Sequence, residues 1–257
     1  MAALLDLMAR LRDPESGCPW DRQQTCATLV PHTIEEAYEV ADAIAREDWA
    51  ELRDELGDLL FQVVFYAQIA REEGRFEFSD VARGIADKMT RRHPHVFGDE
   101  RYANATEQTA AWEQIKAAEK TAPPTGALDG VPLALPALTR AVKLQKKAAK
   151  IGFDWGALEP VLAKIAEEIG EIRHEIASNA APERLADELG DVLFAVANLA
   201  RHLHLDPEAA LRGTNAKFER RFRQVESWLM EMGRTPVEST LAEMDGLWER
   251  AKLEEKR

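Results

Sequence analysis

The stretch Asp54-Glu55-Leu56-Gly57-Asp58-Leu59-Leu60-Phe61 returns as Asp187-Glu188-Leu189-Gly190-Asp191-Val192-Leu193-Phe194, a shift of 133 positions. Upstream, Glu35-Glu36-Ala37-Tyr38-Glu39 returns as Glu167-Glu168-Ile169-Gly170-Glu171. Downstream, Lys88-x-x-Arg91-Arg92 matches Lys217-x-x-Arg220-Arg221, and Trp112-x-x-x-Lys116-x-x-Glu119-Lys120 matches Trp248-x-x-x-Lys252-x-x-Glu255-Lys256. The four blocks keep their order. Their spacing changes only where turn-formers lie, at Gly74, Gly98, Ser178-Asn179, Asp206-Pro207 and Gly233. The chain is an internal duplication.

Apolar residues recur at three- and four-residue steps in Leu52, Leu56, Leu59, Leu60, Val63 and Val64, and again in Leu185, Leu189, Val192, Leu193 and Val196. That period predicts amphipathic helices, and no alternating β-branched run competes with it. Thr33, Asp48 and Ser79 are candidate N-caps. The punctuated segment from Thr121-Ala122-Pro123-Pro124 to Pro132 and Pro136 predicts a linker. The expected architecture is all-α, with a helical repeat over 1–120, a linker over 121–136 and a second repeat over 137–257.

Composition narrows the function. The 257 residues carry 33 Lys+Arg against 46 Asp+Glu, a formal charge of −13. Such a surface repels nucleic-acid phosphates and anionic lipid, so neither is expected as a partner. A phosphorylated ligand then needs a local exception, a bound cation or a basic patch. Cys18 and Cys26 have neither zinc-site spacing nor the number for a disulfide framework, and reduced cytoplasmic thiols are expected. The apolar stretch 59–70 is interrupted by Gln62 and Gln68 and is too short to span a bilayer.

The repeated acids supply the first exception. On a helix, Glu36 and Glu39 share a face, as do Glu55 and Asp58. If the two helices pack antiparallel, these four carboxylates converge, and Glu168, Glu171, Glu188 and Asp191 do the same in the second half. Converging carboxylates repel unless a cation lies between them, and hard oxygen ligands select Mg²⁺, with Mn²⁺ as a substitute. The apolar neighbours Leu189, Val192, Leu193 and Phe194 place Glu188 and Asp191 beside a core. Glu171-x-x-His174 has the spacing of di-iron bundles, but the repeat holds Asp42 where His174 stands.

The second exception is basic. Lys217, Arg220 and Arg221 lie on one helical face, where they read as a triphosphate clamp beside the metal. Trp248 with Lys252 offers a stacking plate and a further cation. The stripe Arg140, Lys143, Lys147, Lys150 reads as a solvated face or a contact for the more acidic first repeat.

Together these motifs resemble the all-α nucleoside triphosphate pyrophosphohydrolases and, in tandem form, the MazG family. The blocks Gly17-Cys18-Pro19-Trp20-Asp21, Arg91-Arg92-His93-Pro94-His95-Val96-Phe97, Leu128-Asp129-Gly130-Val131-Pro132, Gly152-Phe153-Asp154-Trp155 and Lys217-Phe218-Glu219-Arg220-Arg221-Phe222 carry the likeness across nearly the whole chain. The resemblance implies Mg²⁺-dependent cleavage of an NTP or dNTP between its α and β phosphates, in a homodimer, with broad base specificity and a house-cleaning or pool-regulating role. It implies metal ligands at Glu168, Glu171, Glu188 and Asp191. It implies nucleotide contacts at Lys164, Glu167, Arg184, Asp187, Lys217 to Arg221 and Trp248. Water would attack the α-phosphorus, Glu167 or Glu171 taking its proton, while Lys217 and Arg221 stabilise the departing pyrophosphate. A non-catalytic nucleotide- or protein-binding regulator is the alternative, and loss of the acids, its mark, is seen in neither repeat.

The halves differ around those acids. Lys164 corresponds to His32 and Arg184 to Glu51, so the first repeat lacks two cations. Residues 1–120 hold 14 basic against 24 acidic side chains, a balance of −10, and residues 121–257 hold 19 against 22, a balance of −3. Pro94 is expected to end the helix carrying the first basic block. The C-terminal repeat is therefore expected to be the main catalyst, with Glu36, Glu39, Glu55 and Asp58 forming a weaker or structural site.

Overall fold

A computed structural model describes residues 1–119 and 126–255, and every regular element among them is helical. The chain divides into two compact units, Met1–Thr121 and Ala122–Arg257.

In the first unit, α1 (Ala2–Leu11) and the short α2 (Pro19–Gln23) precede a long hairpin, α3 (Cys26–Ala45) and α4 (Trp49–Glu72). Asp48 caps α4 as expected, its Oδ1 accepting from the amides of Ala50 and Glu51. Thr33 does not cap a helix. It lies inside α3, donates to the Leu29 carbonyl and meets the Tyr66 hydroxyl at 2.8 Å. The N-cap of α3 is Thr25, in a reciprocal box with Thr28. α5 (Phe78–Arg92) starts at Glu77, boxed with Asp80, rather than at Ser79. It stops before Pro94, which opens the one-turn α6 (Pro94–Phe97), and α7 (Ala105–Ala118) follows. Met8, Leu29, Val64, Phe65 and Ile69 form the core.

The second unit repeats the plan. α9 (Leu158–Ala177) and α10 (Pro182–His202) form a hairpin, and α8 (Ala137–Lys150) packs on its α10 arm. α11 (Pro207–Glu231), capped by Asp206, runs unbroken past the basic block and packs chiefly on α12 (Leu241–Glu254). Both hairpins turn through a left-handed residue, Glu47 at φ 56° and Asn179 at φ 53°. Residues 121–125 of the expected linker lie outside the described residues, as do Lys120 and Lys256. Residues 126–136 fall within the second unit: Leu128 lines its cavity, and Lys147 donates to the Asp129 carbonyl at 2.5 Å.

Apolar periodicity overstates burial on the hairpins. Leu56, Leu60 and Val63 are exposed in this single chain, and so are Leu189, Leu193, Phe194 and Val196. The expected core beside Glu188 and Asp191 is therefore an open apolar face. Among the described residues no helix is long and apolar enough to cross a membrane.

Candidate active site

Two helical turns per hairpin bring the acids together. In the second unit, carboxylate oxygens of Glu168, Glu171 and Glu188 lie within 4.8 Å of one another, and in the first unit Glu36, Glu39 and Glu55 do the same. The fourth expected ligand stands outside each group. Asp191 lines the same cavity as Glu168 and Glu171, and Asp58 is near enough for its charge to act on Glu36 and Glu55.

The two clusters differ in burial and counter-charge. Glu168 and Glu188 are buried at 5% and 3% exposure, although α9 and α10 leave much of their surface open. Each gives one oxygen to a cation: Lys164 Nζ is 2.7 Å from Glu168 Oε1, and an Arg184 NH is 2.5 Å from Glu188 Oε1. The other oxygen of each, Oε2, is buried without a partner. A buried carboxylate oxygen left bare is costly, and two of them in residues whose carboxylates lie this close fit a divalent cation. In the first unit Glu36 receives only a 3.4 Å bond from Gln62, and His32 turns to Glu35 at 3.7 Å.

Charge crowding shows in the titration of these groups. Burial, then the Asp58 charge, pushes the Glu36 carboxyl above its ordinary range. Burial and neighbouring acids raise Glu55, and burial followed by Glu168 raises Glu171. The bonds that Lys164 donates to Glu167 and Glu168 push its ammonium pKa well up. Glu167 accepts from Lys164 at 2.7 Å, and Asp187 lies 3.6 Å from Arg184.

A cavity of about 900 Å³ opens from the second cluster. Glu168, Glu171, Asp191 and Lys164 line one end. Gln145, Asn198 and Arg201 also line it, with Phe153 and Trp155 from the loop before α9. The corresponding α4 position to Asn198, by the 133-residue shift, is Phe65. That ring is 1% exposed and packed among Met8, Leu29 and Val64. A cavity of about 110 Å³ in the first unit is lined by Leu5, Val64 and Phe78 and not by the acids.

The basic block stands apart from this cavity. None of Lys217, Arg220, Arg221, Trp248 or Lys252 lines it. Arg220 and Arg221 instead share Glu255, at 2.9 and 2.7 Å, and Arg221 lies over the Trp248 ring at 5.7 Å. Lys252 pairs with Glu249 at 2.7 Å. The same construction appears in the first unit, where Arg91 and Arg92 share Glu119 and Arg92 lies over Trp112. Spacing alone correctly put these cations on one helical face. It could not say which helix that face would meet.

Sequence reasoning gave no role to Gln145, Asp154, Asn198 or Arg201. Their signal was present: a lone amide in the apolar run Ala195-Val196-Ala197-Asn198-Leu199 and another on the apolar face of α8.

A model of the MazG nucleotide pyrophosphohydrolase domain matches the chain twice, over residues 24–97 and 157–226. The chain is 53% identical over 254 residues to an Escherichia coli (strain K12) protein named nucleoside triphosphate pyrophosphohydrolase, covering 98% of this chain and 97% of that one. It is 42% identical over 249 residues to the Thermotoga maritima nucleoside triphosphate pyrophosphohydrolase/pyrophosphatase MazG, covering 97% and 94%. Among solved structures, a mazG-related protein from Thermotoga maritima aligns with TM-score 0.39 at 27% identity, covering 46% of this chain and 99% of that chain.

Proposed function

The chain belongs to the MazG nucleotide pyrophosphohydrolase family, and from that premise we propose how its two repeats divide the work. It hydrolyses nucleoside triphosphates to the monophosphate and pyrophosphate, and the C-terminal repeat is the main catalyst. The observation that carries this division is the cavity: beside the acids of the second unit there is room for a nucleotide, and in the first unit Phe65 occupies the matching α4 position.

Glu168, Glu171, Glu188 and Asp191 would hold Mg²⁺, with Mn²⁺ as a substitute. Bound there, the cation supplies positive charge against the phosphate oxygens and makes water a stronger nucleophile. The chain's own residues do the rest. Lys164 and Arg184, now paired with Glu168 and Glu188, are the cations next to the acids and can turn to phosphate once those carboxylates have another partner. Glu171 lines the cavity, whereas Glu167 is engaged by Lys164, so Glu171 is assigned the water's proton. Lys217, Arg220, Arg221, Trp248 and Lys252 are assigned to the pyrophosphate end, where an anion must compete with Glu255 for the two arginines.

The exposed apolar hairpin faces, with Leu189 and Leu193 in the second unit, favour a homodimer that covers them. Light scattering should return twice the 28.8 kDa chain mass, and Leu193→Glu should return one. The acidic surface and two free thiols suit a cytoplasmic enzyme without nucleic-acid partners, acting in nucleotide house-cleaning or pool regulation.

The deciding experiment compares Glu168→Gln with Glu36→Gln. Loss of a metal ligand should cost Glu168→Gln about 100-fold or more in pyrophosphate release, while Glu36→Gln stays near wild type. Equal losses would overturn the division, and no release from any nucleotide by the wild type would overturn the activity.

A further inference from the structure

Arg220 and Arg221 are neighbours on α11, and one carboxylate serves both. Each guanidinium turns its Nε–Nη2 edge to a single oxygen of Glu255. Arg220 Nε and Nη2 are both 2.9 Å from Oε1, and Arg221 Nε and Nη2 are 2.8 and 2.7 Å from Oε2. Among the described residues no other acid pairs with either arginine. Two oxygens on one central atom, each held by a guanidinium edge, is also how a phosphoryl group sits between two arginines. Glu255 stands where a phosphate would.

Three features make this carboxylate displaceable. Glu255 is the C-cap of α12, where unsatisfied carbonyls carry partial negative charge and disfavour an acid. Solvent reaches the group, with the Glu255 side chain 27% and that of Arg220 64% exposed, and water and salt screen a pair so placed. Arg221, finally, does not depend on Glu255 for its place. It lies over the Trp248 ring at 5.7 Å, and that ring rests on Phe218 at 5.1 Å. The arginine stays when the acid lets go.

We propose that Glu255 is a built-in competitor for pyrophosphate. It holds Arg220 and Arg221 in the free enzyme, yields them to the terminal phosphates when the triphosphate binds, and takes them back as pyrophosphate leaves. The proposal rests on the pyrophosphohydrolase reading, with the basic block at the pyrophosphate end, and adds a route for release of that product. Bonds from cations to phosphate oxygens hold substrate and pyrophosphate alike, so strengthening them lowers KM and also retains the product. A carboxylate that competes for the same donors weakens both and returns the site to its empty state. Glu255 is thus a positioning residue that acts through the two arginines. In the first unit Glu119 holds Arg91 and Arg92 in the same way, which supplies a control.

The test uses the full chain with Mg²⁺ and follows formation of the nucleoside monophosphate in the presence of added pyrophosphate. Glu255→Gln keeps the side-chain size and removes the charge. It should lower the inhibition constant of pyrophosphate about tenfold and KM by a similar factor, without raising kcat, since charge-assisted bonds are roughly twice as strong as neutral ones. Glu119→Gln removes the same charge from the matching pair and should move both constants by less than about twofold, because the first repeat is not the main catalyst. If Glu255 only ties α12 to α11, Glu255→Gln loosens the clamp and raises both constants. That result overturns the proposal, as do unchanged constants or equal effects of the two variants. The wild type gives a second readout should Glu255→Gln fail to fold. Pyrophosphate above its inhibition constant should speed amide hydrogen exchange severalfold in the last turn of α12 as Glu255 lets go. Slower or unchanged exchange there overturns the proposal. A wild type that releases no pyrophosphate from any nucleotide overturns the activity itself, and the exchange measurement still reports whether pyrophosphate displaces Glu255.

Discussion

Glu168 and Glu188 each present one oxygen to a basic side chain and one to nothing. A cation that satisfies the bare oxygens binds the folded chain and not the unfolded one, so it stabilises the second unit. At a Mg²⁺ concentration 100 times its dissociation constant the gain is about 2.7 kcal/mol, or roughly 5–10 °C in melting temperature. Calorimetry with and without EDTA should show this shift in the wild type and lose it in Glu188→Gln. Asp154 gives a second residue-level outcome. The Arg201 bond holds its carboxyl below the usual range. A lowered folded value contributes stability that is present above the unfolded value near pH 4 and is lost as pH falls through the folded value. Asp154→Asn should lower stability at pH 7 by about 1 kcal/mol and by progressively less as pH falls below 4, and melting curves taken from pH 7 downward would show the gap narrowing.

Among the elements, the turn residues show how one plan was kept through two sequences. Glu47 and Asn179 close the two hairpins in the same left-handed conformation, which disfavours a β-carbon by about 1–2 kcal/mol. Glycine removes that strain but costs about 0.5–1 kcal/mol through a looser unfolded chain. Glu47→Gly should therefore stabilise the first unit by roughly 0.5 kcal/mol, read from denaturant midpoints at constant slope. These helices were legible in sequence because their period of 3.6 and the capping Asp48 are local signals. The three-carboxylate clusters were legible too, since i, i+3 spacing on two adjacent helices leaves few other places for those side chains. What stayed hidden was non-local. The periodicity that marks Leu189 and Leu193 as inward-facing is the same for a core and for a face left open, so sequence placed a core where the chain shows exposure. The contacts of the basic block stayed hidden as well, because spacing does not show that α11 packs chiefly on α12, where Arg220 and Arg221 share Glu255 and Arg221 lies over Trp248. Asn198 was overlooked because one amide in an apolar run has no period. Its meaning comes from Arg201, Asp154 and the room around them.

For the molecule as a whole, the −13 charge acts on substrate before any contact is made. An NTP bound to Mg²⁺ is still an anion, so the net charge of the protein repels it, while cations such as Lys164 and Arg184 beside the acids oppose that field locally. Net repulsion acts at long range and is screened first. Raising ionic strength from 0.01 to 0.1 M shortens the Debye length from about 30 to about 10 Å, which removes most of the body's field. Contacts between phosphate and a partly buried cation are screened much less. The value of kcat/KM should therefore hold or rise severalfold over this range, the reverse of an enzyme that steers its substrate electrostatically. The measurement is initial-rate pyrophosphate release at sub-KM substrate in NaCl, with free Mg²⁺ held constant. A steep fall with salt would mean that the cationic patches, not the net charge, govern the approach.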